Sequence, residues 1–260
     1  MLDVSFSYAE FEYFLLIFTR VTCFIYIVPF FSMRGVPNRV KIGLGFFMSL
    51  LLYHAITPHT AVEYTTVWQY AVIVMREAVT GLFIGFGASI CNSIVLFAGR
   101  IVDMDIALSM VNQMDPTTNE NASVSGVYYQ YMITLMLFIT GMHRYLIRAL
   151  ADTFYLIPVN GAVFHTESLL TSMLQFMSEY IIIGFRICLP VFIVITLLNA
   201  VLGILAKVSP QMNMFAVGIQ LKLMVGFLIL MLTTVMLPSV ANYIYEEVKK
   251  MTSAFVGGML

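Results

Sequence analysis

Charged residues are scarce. Asp, Glu, Lys and Arg together make up 10% of the 260 residues, where soluble domains carry about a quarter. That leaves too little polar surface to coat a globule of this length in water, so water is not the main solvent of the chain. The formal net charge is −1 and the basic residues are dispersed. No basic patch is large enough to release counterions from phosphates, which excludes nucleic acid as a partner. Cysteine is nearly absent: Cys23, Cys91 and Cys188 are odd in number and lie inside apolar stretches. A full disulfide framework is therefore excluded, and all three read as buried hydrophobes. The first twelve residues hold Asp3, Glu10 and Glu12 but neither Lys nor Arg. This is the wrong charge for the n-region of a signal peptide, so the chain is expected to keep its first segment.

The constellations of catalysis are missing as well. His54, His59, His143 and His165 are scattered, and neither H-E-x-x-H nor Cys-x-x-Cys spacing is present to hold a metal. No glycine loop precedes Lys-Ser or Lys-Thr to cradle a phosphate, and Gly-x-Ser-x-Gly does not occur. Asp103 and Asp105 are two apart, which on a helix points them about 200° from each other, a poor placement for a catalytic pair. A non-enzymatic role without metal or cofactor is expected, with any energy supplied by partners.

Apolar residues dominate instead. They reach 60% of the chain, and 19 Met add soft packing surface to 21 Phe and 14 Tyr. Apolar runs cover residues 11–31, 42–56, 68–98, 127–139, 180–205 and 214–237. A helix needs about 20 residues to cross about 30 Å of hydrocarbon, so the third, fifth and sixth runs are long enough and the second and fourth are marginal. Composition and length favour helices, and no period-two alternation suggests a barrel. The expected fold class is all-α, an integral membrane-type protein with about six long apolar helical segments, several kinked or broken, in a single domain over 1–260.

Orientation is not legible from loop charge. In a six-span arrangement one side collects Arg34, Arg39, Lys41, Arg100 and Lys207, and the other Arg144, Arg148, Lys249 and Lys250, five against four. Charges also interrupt the runs at Arg20, Arg76, Glu77, Glu179, Arg186 and Lys222. Each would cost at least a few kcal/mol facing lipid, so they are expected to face protein, water or the interface. Glu179 and Arg186, two helical turns apart, share a face; structural pairing between helices is the simpler reading and an ion path the alternative. Pro29, Pro190 and Pro238 should kink or end helices. Gly81-Leu-Phe-Ile-Gly85, extended by Gly87, is a small-xxx-small pattern that permits close helix approach.

The most polar stretch, residues 109–126, reads as a loop with turn chemistry at Asp115-Pro116. Met110 and Met114 are unusual for a solvated loop. It is either an ordinary surface connection or a segment that folds back into a cavity lined by apolar chains.

Four segments together resemble the FliR family, the flagellar relatives of the SctT proteins of type III secretion. They are Arg34-Gly-Val-Pro-Asn-Arg-Val-Lys-Ile-Gly-Leu44; Gly99-Arg-Ile-Val-Asp-Met-Asp-Ile-Ala-Leu-Ser-Met110 with Asp115-Pro116; Gly141-Met-His143 with Pro158; and Ala206-Lys-Val-Ser-Pro-Gln-Met-Asn-Met-Phe215 with Gly218 and Lys222. The last is the most specific, and the resemblance covers the chain from about Pro29 to Pro238. Ala107 departs from the pattern, standing where the family's glycine is expected.

The resemblance implies a structural channel subunit of the flagellar export gate in the bacterial inner membrane, within the basal body, through which unfolded flagellar subunits pass. Similar proteins assemble with FliP and FliQ, with FlhB and FlhA nearby, and contact membrane lipid. Their helices tilt and stack into a protein wall, so that apolar surface is buried on neighbouring subunits more than in lipid. In that picture 109–126 is the plug, with Met110, Asn112, Gln113, Met114, Asp115 and Pro116 at the gate. Pro37, Lys41, Gly99, Arg100, Asp103, His143, Lys207, Pro210, Gln211, Asn213 and Lys222 are the structural motif positions. Arg100 and Asp103, three apart, are close enough to pair and brace the plug's base. Pro210 would stop a helix while Gln211 and Asn213 satisfy loose backbone groups at the turn. A virulence-type secretion subunit is the alternative. A secondary transporter is the more distant one, since no convincing internal repeat is present.

Overall fold

The computed structural model describes residues 8–32, 35–56, 64–110, 123–211 and 213–260, without the side chains of Ile90, Cys91, Asn92 and Met110. Among the described residues all regular structure is helical. In chain order the helices are α1 (Tyr8–Ile27), α2 (Asn38–Ala55), α3 (Val67–Asp105), α4 (Val124–Ile139), α5 (Met142–Leu156), α6 (Thr166–Val208), α7 (Met214–Thr233) and α8 (Leu237–Gly257). Short 3₁₀ turns at Leu108–Met110 and Thr234–Met236 follow α3 and precede α8.

Helix ends follow local chemistry. Pro37 stands before α2 with φ −59° and ψ 143°, where its missing amide costs nothing. Ser123 caps α4, its Oγ accepting from Gly126 N at 2.9 Å. Asn213 caps α7 by accepting from Ala216 N at 3.4 Å. Between α4 and α5 the backbone turns through Gly141 at φ 83°, a left-handed conformation that glycine adopts without strain. The three prolines behave differently: Pro29 follows the end of α1, Pro238 lies in the first turn of α8, and Pro190 sits inside α6. At Pro190 the carbonyl of Arg186 loses its intrahelical amide.

Among the described residues three segments can cross a membrane by length and composition: α3, α6 and the α7–α8 stretch Met214–Gly257. The pair α4 and α5, interrupted at 140–141, would add a fourth. In α6 the most apolar window has a mean hydropathy of 2.7, yet only 33% of it is buried within the chain. Ile181, Phe185, Leu189, Phe192, Leu197 and Ile204 are all exposed on this helix. So much apolar surface demands lipid or another apolar chain.

The chain divides into two compact units. The first comprises residues 1–90, 141–176 and 246–260; the second comprises 91–140 and 177–245. Helices α3, α6 and α8 contribute residues to both.

In the first unit α1 is seated on α3 by glycine. A Cβ at Gly81 would lie 2.2 Å from the Arg20 carbonyl oxygen, and one at Gly85 would lie 3.1 Å from that of Phe24. The small-xxx-small pattern is thus the face on which α1 packs. Phe14 and Phe18 of α1 meet Phe46 of α2 edge-on at 5.5 and 6.3 Å. Phe83, Phe86, Phe164, Phe176 and Phe255 form a second aromatic cluster. The last residues are tied down by His165 N donating to Gly258 O at 3.0 Å and Val163 N to Met259 O at 3.1 Å.

In the second unit α4 is fastened to the end of α7. Tyr129 and Thr233 hydroxyls lie 3.3 Å apart, and those of Tyr128 and Thr234 lie 2.8 Å apart. Gly184 leaves room on α6 for the Phe97 ring, which a Cβ would meet at 2.4 Å.

Candidate functional site

The gate segment read from the sequence has its middle, with Asn112, Gln113, Met114, Asp115 and Pro116, outside the described residues. Its two flanks are described, and both belong to the second unit. Backbone contact brings them together: a Cβ at Gly99 of α3 would lie 2.1 Å from Gly126 Cα and 2.3 Å from its N. Glycine at position 99 is what permits this crossing, whereas a Cβ at Gly126 would lie 2.7 Å from the capping Ser123 Oγ of its own helix. One turn further along α3, Asp103 is buried with 1% exposure and its Oδ1 accepts from Ser125 N at 3.1 Å. The carboxylate therefore satisfies one of the orphan amides in the first turn of α4, where a negative charge also meets the positive helix end. Asp103 takes this amide as its partner, and Arg100 is exposed.

Beyond Asp105 the chain leaves the helix through Ile106 and Ala107. Ala107 has φ 65°, the left-handed region that an L residue occupies at a cost. The position where the family pattern expects glycine is thus one whose backbone favours glycine. Ile106 is fully buried, and its side chain fills the notch at Gly226 of α7, where a Cβ would meet it at 2.5 Å. Met110 closes the 3₁₀ turn at the last described position before the gate segment. Around this frame Asp103 Oδ2, Asp105 Oδ2 and Ser125 Oγ are buried and have no hydrogen-bond partner among the described residues.

The other motif positions are dispersed. Half-buried Lys222 on α7 is close enough for its charge to act on Asp105. Lys207 is exposed in the last turn of α6, where a cation complements the helix dipole. Ser209 N donates to Leu205 O at 2.9 Å, Pro210 and Gln211 form the turn, and Asn213 caps the next helix. In the first unit, Lys41 is buried with Nζ donating to Ser32 O at 3.1 Å and lying 5.9 Å from the Tyr26 ring centre. His143 lies half-buried in the first turn of α5.

Sequence reasoning gave no role to the most heavily built polar site of the first unit. Arg20 and Glu77 are both fully buried, and Arg20 Nε donates to Glu77 Oε2 at 2.6 Å. Arg20 Nη1 donates to Ile157 O at 2.9 Å and Nη2 to Pro158 O at 3.4 Å. Glu77 Oε1 accepts from Asn160 N at 2.8 Å, and the Phe154 ring lies 4.4 Å from the guanidinium carbon. One ion pair thus joins α1, α3 and the loop that follows α5, and holds Asn160 at φ 64°. Burial of two charges is tolerable only with this many partners. By contrast Arg186 is exposed and stacks 5.0 Å from the Tyr243 ring centre. The interior ion pair of the described residues is Arg20 with Glu77, and Arg186 of α6 meets a ring of α8 between helices.

Among the described residues no three His, Cys, Asp or Glu side chains converge to hold a metal ion. The conspicuous built features are a glycine-framed segment entrance, a buried charge lock and wide apolar faces. They define the class as an all-helical, membrane-type protein. The chain matches the family of bacterial export proteins, family 1, over residues 11–248, and belongs to it. It is 30% identical to the flagellar biosynthetic protein FliR of Bacillus subtilis (strain 168), over 85% of each chain. It is 27% identical to the FliR of Pectobacterium carotovorum subsp. carotovorum, over 89% of this chain and 87% of that one. It is also 27% identical to the FliR of Escherichia coli (strain K12), over 88% and 87%.

Proposed function

We propose that this chain is a non-enzymatic channel subunit of the flagellar protein export gate in the bacterial inner membrane. The similarity to flagellar biosynthetic proteins along 85% or more of the chain carries this reading. The apolar face of α6, too large to leave in water, supports it by requiring apolar neighbours. In this role the chain assembles with FliP and FliQ, stands near FlhB and FlhA, and forms part of the path of unfolded flagellar subunits.

Residues 109–126 act as the plug. Anchoring of both flanks supports this assignment, because Gly99 against Gly126 and Asp103 on Ser125 hold the ends of the segment at a fixed entrance. The methionines Met110 and Met114 suit a seal that must close on varied sequences, since a thioether packs softly and makes no specific demand.

Deletion of the gene should abolish swimming and filament export while leaving growth intact, and the full chain should copurify with FliP and FliQ. Substrate-stimulated ion flux from the purified chain alone would contradict the assignment and favour a transporter. Shortening residues 112–121 should leave assembly intact and make the closed gate leaky to small ions. Unchanged membrane conductance in that variant would remove the plug role.

A further inference from the structure

A groove of ≈ 400 Å³ opens on the first unit along α3, lined by Trp68, Val72, Met75, Arg76 and Val79 and closed on one side by Phe164. At Val79 it meets a second groove of ≈ 290 Å³ that continues past Leu82 and Phe86 to Met173. From Trp68 to Phe86 the track follows 18 residues of helix, about 27 Å at 1.5 Å per residue, comparable with the thickness of bilayer hydrocarbon. Among the described residues Arg76 is the only charged one of its lining.

Arg76 is exposed and has neither an ion pair nor a side-chain hydrogen bond among the described residues. Its neighbour Glu77 is fully buried and points to Arg20 and Asn160 N on the inner side of α3, whereas Arg76 is exposed. The residues that share its helix face, Val72, Ile73, Val79 and Thr80, carry no negative charge. A guanidinium on an apolar helix face in a membrane-type chain costs several kcal/mol unless an anion meets it. Trp68 is 83% exposed at the start of α3 and forms the apolar end wall of the groove.

We propose that this groove is a binding site for an anionic phospholipid, with the phosphate on the Arg76 guanidinium and an acyl chain along the track past Val79 toward Phe86. Charge complementarity selects this occupant over a zwitterionic lipid. A planar guanidinium takes a phosphate by paired hydrogen bonds, and the apolar walls take the chain. The inference needs only a membrane-embedded chain and does not depend on the export role.

The test uses the full-length protein in nanodiscs of phosphatidylcholine with a minor fraction of phosphatidylglycerol, followed by native mass spectrometry of retained lipid. Phosphatidylglycerol should be retained about fivefold over its share of the bilayer, the ratio expected for one basic residue at an anionic headgroup. Arg76→Gln should abolish that preference and Arg76→Lys should keep part of it. Val79→Trp, which fills the junction of the two grooves, should lower retention of both lipids. Equal retention of the two lipids by the unaltered protein overturns the proposal, whatever the variants do. A photo-crosslinker at position 75 in native membranes should label lipid; labelling of another polypeptide instead would overturn it by making the groove a protein interface.

Discussion

Each unit buries a carboxylate on α3, and the two are satisfied very differently. Glu77 in the first unit has both oxygens engaged, one by a fully buried guanidinium and one by a backbone amide. Asp103 in the second unit has one oxygen on Ser125 N and the other without a partner among the described residues. A buried ion with every bond made fixes three chain segments in one arrangement. One with a spare acceptor holds its element with less energy and retains capacity for a further donor. The first site reads as scaffold; the second stands at the entrance of the proposed plug, where a weaker hold suits a segment that must move.

The largest expected effect breaks the scaffold side. Glu77→Gln leaves the Arg20 charge uncompensated in a dry site and should cost about 3–5 kcal/mol, read as a lowered thermal midpoint in detergent and as reduced accumulation in membranes. The double variant Arg20→Met with Glu77→Leu should recover most of that loss, because apolar side chains of similar volume remove the desolvation penalty together with the attraction. If the double variant proves as unstable as the single one, specific hydrogen bonding to residues 157–160 matters more than charge.

Gly99→Ala comes next. Its added methyl carbon would lie 2.1 Å from Gly126 Cα, so α3 and α4 must separate. A cost of about 1–3 kcal/mol is expected, as for other overpacked sites, with faster proteolysis around the gate segment. On the gate side of the comparison, Asp103→Asn keeps an acceptor for Ser125 N and should cost only about 1 kcal/mol. An effect as large as that of Glu77→Gln would show that the second carboxylate is also paired, and would erase the contrast.

Ala107→Gly should stabilise by about 0.5 kcal/mol, since glycine occupies φ 65° without the Cβ penalty but loses more chain entropy on folding. Thermal midpoints of the two proteins in the same detergent would reveal it.

The smallest effect concerns pH. The Tyr64 hydroxyl donates to the Glu12 carboxylate, and this bond pushes the phenol pKa from 10 up to about 12. Because the folded value is the higher one, the stabilising contribution is complete below pH 10 and disappears as pH rises through 12. Tyrosinate absorbance should show a late-titrating component that Tyr64→Phe removes.

Some of this was legible in the chain and some was not. Apolar runs marked the cores of α1 to α4, α6 and α7, yet α5 and α8 escaped a search for continuous hydrophobicity. Both are amphipathic: Met142, Leu146 and Leu150 bury one face of α5, and Leu237, Ala241, Ile244 and Val248 bury one face of α8. Their signal is a 3.6-residue period, visible only when polar residues between the apolar ones are allowed. The glycine pattern at 81 and 85 named a close approach without naming α1 as the helix that makes it. Arg20 and Glu77 were recognisable as charges that must avoid lipid, but 57 positions separate them and nothing local marks them as partners.

The sequence by itself determined that this is a helical, membrane-type chain without the recognised motifs of catalysis, because hydrophobicity, helix propensity and motif spacing are local quantities that sum along the chain. Only the tertiary structure decided which buried charges meet, which glycines are contact points and which arginine is left at the mouth of an apolar groove. Those outcomes depend on distances between segments far apart in the chain, and desolvation makes their energies large only once the segments have packed.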